Sequence, residues 1–506
     1  MDRYPLESRS LPQAVRALES PWTLLVLVCC LAGCTLGPDY RPPPVPLEDS
    51  WSKERSARLD SGQPVDPLWW EHAFSDPVLD QLVAISLDRN LTLRSAALRV
   101  MQAQQQLAIA VGNQYPQLQE LAGSVSRTKE SELIIEEYDI GFNLSWELDM
   151  WGRFRRQVES ASADLGASVA DYDGVLVSLV AQVAQTYVAI RTTQARLKVA
   201  RNNIDLQEES LRIARAKFEA GEVSALDAEQ AEALLYNTRA AVPSLETTLQ
   251  QLKNTLAVLL GMPPTAATSL AGMPGAIPVV PAQIAIGMPQ DLLRQRPDVR
   301  AAERRLAAQG PQIGVAEAEL YPAFSIGGSI GSRAMEAGRL FEGESEAWNL
   351  FGGFQWNLFN YGRLRSNVRL QDARFQQLLE DYRQAVLQAQ ADVENAIVAY
   401  LKSHEQLESY RRAAAASSRS VALSSAQYTN GLVGFNTVIS TLTADAQQQD
   451  LLARARGAVA ANLVQVYRSL GGGWEVRESR SVEQLLPVPV RDEMLDRTGK
   501  WKKVLQ

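Results

Sequence analysis

Apolar and polar side chains alternate one by one from Tyr138 to Leu148. Tyr138, Ile140, Phe142, Leu144, Trp146 and Leu148 stand between Asp139, Gly141, Asn143, Ser145 and Glu147. The pattern returns at Leu350, Gly352, Phe354, Trp356 and Leu358, set between Asn349, Phe351, Gly353, Gln355 and Asn357. A period of two predicts strands with one oily face. Partner strands at about Gln117–Arg127 and Ala323–Arg333 are glycine-rich and alternate less cleanly, completing hairpins over 117–148 and 323–359. Elsewhere the period is helical. Residues 82–113 and 291–318 are rich in Ala, Leu, Gln and Arg. Pro297 falls in the first turn of the second, where its missing N–H is harmless. Each helix stops at a Tyr-Pro pair, Tyr115-Pro116 or Tyr321-Pro322, because proline removes a donor and biases the residue before it to extended geometry.

Long helices follow each hairpin. From Arg153 to about Lys217 there is no proline, so one helix of about 100 Å is expected. The return helix, Val223–Leu260, is interrupted by Pro243 and spans about 57 Å, and the 291–318 helix adds about 42 Å. The two short pieces together match the long one. Gly362–Gln427 and Leu432–Leu470 repeat the arrangement.

The landmarks recur at a nearly constant offset. Tyr115-Pro-Gln-Leu118 returns as Tyr321-Pro-Ala-Phe324, and Trp146-Glu-Leu-Asp-Met-Trp-Gly-Arg-Phe-Arg155 as Trp356-Asn-Leu-Phe-Asn-Tyr-Gly-Arg-Leu-Arg365. Asp171-Tyr172 matches Asp381-Tyr382, Phe218-Glu-Ala-Gly221 matches Tyr428-Thr-Asn-Gly431, and Leu260-Gly261 matches Leu470-Gly471. The chain therefore reads as two copies of one unit, a period too long for a solenoid. Repeat 1 covers 81–260 and repeat 2 covers 291–475. A Gly/Pro-rich linker, 261–290, joins them, and a polar tail, 476–506, follows.

Composition narrows the function. All three cysteines, Cys29, Cys30 and Cys34, lie near the N-terminus, so neither a disulfide framework nor a thiolate metal site can serve the body. His72 and His404 stand alone, without HExxH spacing, and no metal site is expected. A net charge of −8 argues against a nucleic-acid partner. Gly327-Gly328-Ser329-Ile330-Gly331 lacks GxGxxG spacing and sits in an expected strand, and Gly471-Gly472-Gly473 ends a helix. No catalytic residue or cofactor site is expected, and an enzyme is not.

The N-terminus reads as an address. Arg3, Arg9 and Arg16 precede an apolar run from Trp22 that closes on Leu31-Ala-Gly-Cys34. This is a signal peptide over 1–33, too short to cross about 30 Å of hydrocarbon as a helix. Leu-Ala-Gly-Cys resembles the bacterial lipobox, which implies acylation (palmitate) at Cys34, and Thr35 after it points by the same resemblance to the outer membrane. Residues 34–80 then form an extended lipidated segment, with the proline-rich stretch 37–46 as a tether.

Apolar-out, polar-in strands of about ten residues suit an outer-membrane barrel, and equally one half-buried face of a soluble sheet. The lipobox and the interface-type aromatics Trp146, Trp151, Trp348, Trp356 and Tyr361 favour the barrel. Four strands per chain cannot close one, and an open edge in lipid would leave backbone groups unpaired. Several copies must share a barrel; geometry alone allows two, three or four.

Gly37-Pro-Asp-Tyr40, Trp69-Trp70, Phe74-Ser-Asp-Pro-Val-Leu79, Ser145-Trp-Glu-Leu-Asp149, Leu293-Arg-Gln-Arg-Pro-Asp298, Tyr321-Pro322 and Leu470-Gly-Gly-Gly-Trp474 occur in this order. Across almost the whole mature chain this resembles the TolC/OprM family of outer-membrane efflux factors, lipoprotein (NodT-like) branch. The resemblance implies a mostly α protein with a β-barrel part. A homotrimer would join a twelve-stranded transmembrane barrel to a helical tunnel through the periplasm, with outer-membrane lipid around the barrel. It further implies a passive export duct for drugs or other toxic small molecules, completed by a periplasmic adaptor and an inner-membrane pump.

The turns at Gly221–Asp227 and Gly431–Thr437 become the periplasmic tips. Gly221 and Gly431 suit left-handed helix C-caps and Ser224 with Asp227 an N-cap. By resemblance these four also mark where an adaptor docks. Family members often carry acidic residues at the second tip and arginine beside its tyrosine. Here Tyr428 is retained without its basic neighbours or nearby acid, and an apolar constriction at Val433 and Phe435 is expected instead. Phe435 packing between helices is the competing reading. Arg153, Arg155, Arg156, Arg363 and Arg365, just past the hairpins, are expected to pair with carboxylates or lipid head groups. The rival function is a lipid-anchored periplasmic coiled-coil adaptor or structural envelope protein, which would lack barrel strands.

Overall fold

The computed structural model describes residues 35–53, 55–266, 275–478 and 480–505. The expected signal peptide and Cys34 lie outside them. The described residues form two compact units. The first contains the chain up to Pro43 with Gln102–Ala167 and Ala302–Asp381; the second contains the remainder.

A four-stranded antiparallel sheet dominates the first unit: β2 (Leu118–Glu130), β3 (Leu133–Leu148), β5 (Ala323–Ala334) and β6 (Glu346–Gln355), in that order. The two hairpins join through β3 and β5, with Phe142 opposite both Leu121 and Ile330, and Ile330 opposite Trp348. Directly opposed residues share a face. One face therefore carries Leu121, Val125, Phe142, Trp146, Ile326, Ile330, Trp348, Leu350 and Phe354, while the other carries Glu120, Asp139, Asn143, Glu147, Ser329 and Asn349. The oily face is bare: Leu121 is 73% exposed, Trp348 73% and Leu350 81%. The glycines of β5 fit this register. A Cβ on Gly327 would fall 2.6 Å from the Phe351 ring, so the aromatic lying on the polar face covers a position that must have no side chain. Among the described residues β2 and β6 each have a single partner, leaving two open edges.

Helices make up most of the rest. α1 (Trp69–Phe74), α2 (Pro77–Arg89), α3 (Leu91–Gly112), α4 (Arg153–Glu219), α5 (Ala225–Leu259), α6 (Leu292–Gln295), α7 (Pro297–Ala318), α8 (Arg363–Thr429) and α9 (Phe435–Leu470) follow in chain order. α4 and α8 have 67 residues each, about 100 Å of helix. Part of α4 is apolar enough to cross a membrane by composition, yet 61% of that stretch is buried within the fold. α5 runs through Pro243 without ending. The helix expected over 82–113 is divided at Asn90, whose backbone turns extended. Its side chain accepts from Leu93 N (2.9 Å) to start α3 and donates to Leu259 O (2.9 Å).

The second unit is knotted by aromatic and ionic contacts. Trp69 stacks on Tyr467 with ring centroids 5.1 Å apart. Gly472 and Gly473, beyond the left-handed cap Gly471, give Trp69 and Trp70 room: a Cβ on Gly473 would approach Trp70 to 3.1 Å. Arg296, of the Arg-Pro-Asp motif, is buried with Asp298 (2.7 Å), Asp392 (3.1 Å) and Ser469 O (3.0 Å) as acceptors. Asp173, fully buried on α4, takes Arg477 and Arg300, and Arg300 lies 4.3 Å over the Trp474 ring. Two features had no counterpart in the expected pattern. The N-terminal segment and the linker pair as short parallel strands, β1 (Leu59–Asp60) and β4 (Ile284–Ala285). The polar tail folds into α10 (Val488–Arg497) and α11 (Lys502–Leu505), burying Leu485, Leu486, Met494 and Leu505.

Candidate functional site

The two helix turns are built alike. Gly221 N donates to Phe218 O (2.9 Å) and Glu222 N to Lys217 O (2.9 Å); Gly431 N donates to Tyr428 O (3.0 Å) and Leu432 N to Gln427 O (2.8 Å). This paired 6→1, 5→2 pattern needs a left-handed residue, and Gly221 and Gly431 have φ of +74° and +73°. Nothing stands within 4 Å of a Cβ at either, so backbone conformation and not space selects glycine. The first turn re-enters helix at Ser224, whose Oγ accepts from Leu226 N (3.2 Å); the second re-enters at Gly434 without a side-chain cap.

The hairpins pack on each other through a small core. Leu211, Ala214, Ala231 and Leu235 come from the first; Val421, Tyr428, Phe435, Val438 and Leu442 come from the second. Phe435 is 2% exposed and lies 5.0 Å from the Tyr428 ring, inside the chain's own tip. Val433 is half-buried against the same cluster. Tyr428 Oη donates to Asp227 Oδ2 across the two turns (3.1 Å), while Lys217 Nζ sits 5.6 Å above the Tyr428 ring and 2.8 Å from Glu222. Burial first, then the hydrogen bond to Asp227, pushes the Tyr428 phenol well above its ordinary value. It stays a donor throughout the physiological range.

Tyr428, Phe435, Val433 and Asp227 are thus brought together, whereas Gly221, Ser224 and Gly431 lie exposed on the turns. The acid missing beside Tyr428 in sequence is supplied by the other turn, and the cation by α4. Sequence reasoning missed this pairing and Lys217. The sequence match of Phe218–Gly221 with Tyr428–Gly431 carried the clue, since similar turns can lie side by side. Phe218, Leu226 and Leu432 leave apolar surface exposed around the tip.

At the foot of the sheet, Trp151 Nε1 donates to Pro322 O (2.8 Å) and its ring lies 4.8 Å from Tyr321. Arg153 pairs with Glu147 (2.8 Å), Arg155 with Asp149 (3.3 Å), and Arg156 with Glu159 (2.7 Å) and Asp39 (2.9 Å). His72 pairs with Asp66 (2.6 Å), and His404 lies edge-on to Tyr400.

A sheet that is oily on one face and open at both edges, in a chain with helices of this length, fits a channel component of the outer membrane. The outer membrane efflux protein family model matches residues 82–262 and 288–472, and the chain belongs to that family. Nodulation protein T of Rhizobium leguminosarum bv. viciae is 32% identical over 451 residues, covering 89% of this chain and 92% of the relative. The pyoverdine export outer membrane protein OpmQ of Pseudomonas putida is 33% identical, covering 81% and 89%. The solved outer-membrane channel OprN superposes with a TM-score of 0.83 at 33% identity, covering 87% of this chain and all of that one. The chain is accordingly an outer-membrane component of a tripartite efflux system.

Proposed function

We propose that three copies of this chain close one twelve-stranded barrel and continue it as a helical tunnel, forming a passive duct for small organic molecules. The sheet carries this reading. Its lipid-compatible face is bare and its edges are unpaired in one chain, and an open edge in hydrocarbon costs several kcal/mol per group. Two structural repeats, α3 to α5 and α7 to α9, each contribute a hairpin and a helical arm. The division into 81–260, 261–290 and 291–475, with the tail after it, follows from that duplication. The pinned tip is the closing element. Tyr428, Asp227 and Lys217 hold the two hairpins together, and Phe435 and Val433 act from within the tip core by keeping it packed. The turns with Gly221, Ser224, Asp227 and Gly431, and the exposed Phe218, Leu226 and Leu432, offer an adaptor its docking surface. An inner-membrane pump drives export. Cys34 carries the acyl anchor, and 1–33 is removed as signal peptide. An organic cargo is favoured by the relative whose name records pyoverdine export.

Purification in detergent tests the assembly. A heat-modifiable trimer that conducts in planar bilayers is expected. A monomer that stays water-soluble once its acyl group is removed would overturn the reading and revive the periplasmic adaptor.

A further inference from the structure

Residues 37–46 were expected to be a tether, yet the segment from Leu36 to Asp39, where it begins, is held. Leu36 N donates to Trp151 O (3.1 Å). Arg156, only 4% exposed, donates through Nε to Leu36 O (2.9 Å) and through Nη2 to Gly37 O (3.0 Å) and Asp39 Oδ1 (2.9 Å). Glu159 takes its remaining arm (2.7 Å). Glycines make the seat. A Cβ on Gly37 would fall 2.4 Å from Gly314 Cα, one on Gly314 would fall 2.4 Å from Leu36 O, and one on Gly152 would fall 2.8 Å from the Thr35 side chain. Three backbones thus approach where no side chain fits, and a buried guanidinium reads two carbonyls. Asp39 itself is 86% exposed, so its ion pair is screened and the carbonyl contacts carry the grip.

The position matters as much as the fit. Gly152 immediately precedes α4, and Trp151, which takes the Leu36 amide, is bonded to Pro322 at the start of β5. Thr35 therefore sits against Gly152, next to Trp151, whose ring packs on Tyr321; both are aromatics of the kind that mark the membrane–water boundary. Cys34 is the residue next before Thr35 in the sequence. A proline-rich tether of the twelve residues to Pro46, left free, would reach about 37 Å as an extended spacer and would not fix where its end lies.

We propose that the cradle of Gly152, Arg156 and Gly314 is a positioning site for the lipid anchor, with Arg156 its central positioning residue. It delivers the acylated N-terminus to the foot of the sheet. The depth and orientation at which the open-edged sheet meets lipid are then set by the fold and not by a slack linker. Edges presented at one common depth find sister edges at a raised effective concentration. The inference rests on acylation of Cys34, which is checked separately.

The test uses the full-length protein expressed in a lipidating host. Palmitate labelling comes first: label in the wild type and none in Cys34→Ser is expected. Unlabelled wild type would remove the anchor reading itself before any cradle variant is read. Arg156→Ala and Gly314→Val are then compared. Gly314→Val displaces the same backbone with Arg156 and Glu159 unsubstituted; its Cβ would meet Leu36 O at 2.4 Å and the flexible Arg156 Cγ at 3.2 Å, so the held segment must give first. Both should stay labelled. Amide exchange at Leu36 should rise at least tenfold, and the yield of heat-resistant oligomer after insertion into phospholipid vesicles should fall at least fivefold. Arg156→Lys should be intermediate, since one ammonium cannot reproduce the fork. Wild-type oligomer yield in both variants despite freed Leu36 exchange would overturn the proposal. So would loss confined to Arg156→Ala when Gly314→Val frees the segment equally.

Discussion

Removing one oxygen from Tyr428 isolates the contact that ties the two turns together. Tyr428→Phe keeps the ring against Phe435 and beneath Lys217 but deletes the donor to Asp227 Oδ2, 3.1 Å away. A hydrogen bond to a charged group contributes about 1.5–3 kcal/mol when its partner is left stranded. Asp227 is half-buried and gains water when the phenol goes, so the loss falls to the bottom of that range or just under it, about 1–1.5 kcal/mol per tip. At about 1.4 kcal/mol per factor of ten, each tip then opens roughly tenfold more often. If three tips must part together, the fully open population rises by about two to three orders of magnitude. Single-channel recording in planar bilayers reads this directly as longer or larger open events. Asp227→Asn should behave alike but more mildly, because an amide oxygen still accepts. An open probability in Tyr428→Phe within about twofold of the wild type would show that this bond does not hold the tip, and would refute the reasoning.

Phe435→Ala deletes a ring that is 2% exposed and should cost the tip core about 3 kcal/mol, less whatever the turns recover by relaxing; conductance should increase, and unchanged currents would count against a packed tip as the closing element. Ile330→Arg on the bare sheet face should cost about 2–4 kcal/mol if the residue meets the bilayer midplane, read as loss of heat-resistant oligomer in membranes, whereas Ser329→Arg beside it should be tolerated far better. Arg296→Ala strands Asp392 and the Ser469 carbonyl in the second unit and should lower the melting temperature more than any single surface ion pair would. Asp298 supplies a pH signature. Burial alone would raise its carboxyl, but the Arg296 hydrogen bond and charge outweigh this and hold it below the usual carboxylate range. A depressed folded pKa gives stability that is complete above the unfolded value and lost as pH falls through the folded one. The melting difference between wild type and Asp298→Asn should thus persist at neutral pH and vanish in strong acid, modestly, because 57% of the Asp298 side chain meets solvent.

Periodicity made the architecture legible because each element must present one consistent face along its whole length. The alternation at Tyr138–Leu148 and the proline-free run after Arg153 correspond to β3 and α4. What escaped the sequence were contacts between residues far apart in it. Asn90 looked like one more helical position, and only its bond to Leu259 O shows why the helix divides there. The tail read as polar because its four buried apolar residues are scattered among charges, too few to set a period. The acid beside Tyr428 was sought among its chain neighbours, although it comes from Asp227 on the other turn. Arg156 lay within a basic cluster expected to meet carboxylates or lipid; that it grips backbone carbonyls of the N-terminal segment could not be read from charge.

The ion knot at Asp173 bears on the order in which the chain completes itself. Asp173 is sealed from solvent on α4, and one of its two guanidinium partners, Arg477, lies 304 residues later. During export the carboxylate emerges first and must wait for nearly the whole polypeptide before its second counter-charge arrives. A product broken off ahead of Arg477 would have to bury that acid on Arg300 alone, and desolvating an undercompensated charge costs several kcal/mol. A chain ended before Arg477 should accordingly melt at a lower temperature and be cut faster by protease than the full one, because only Arg300 would then face the buried Asp173.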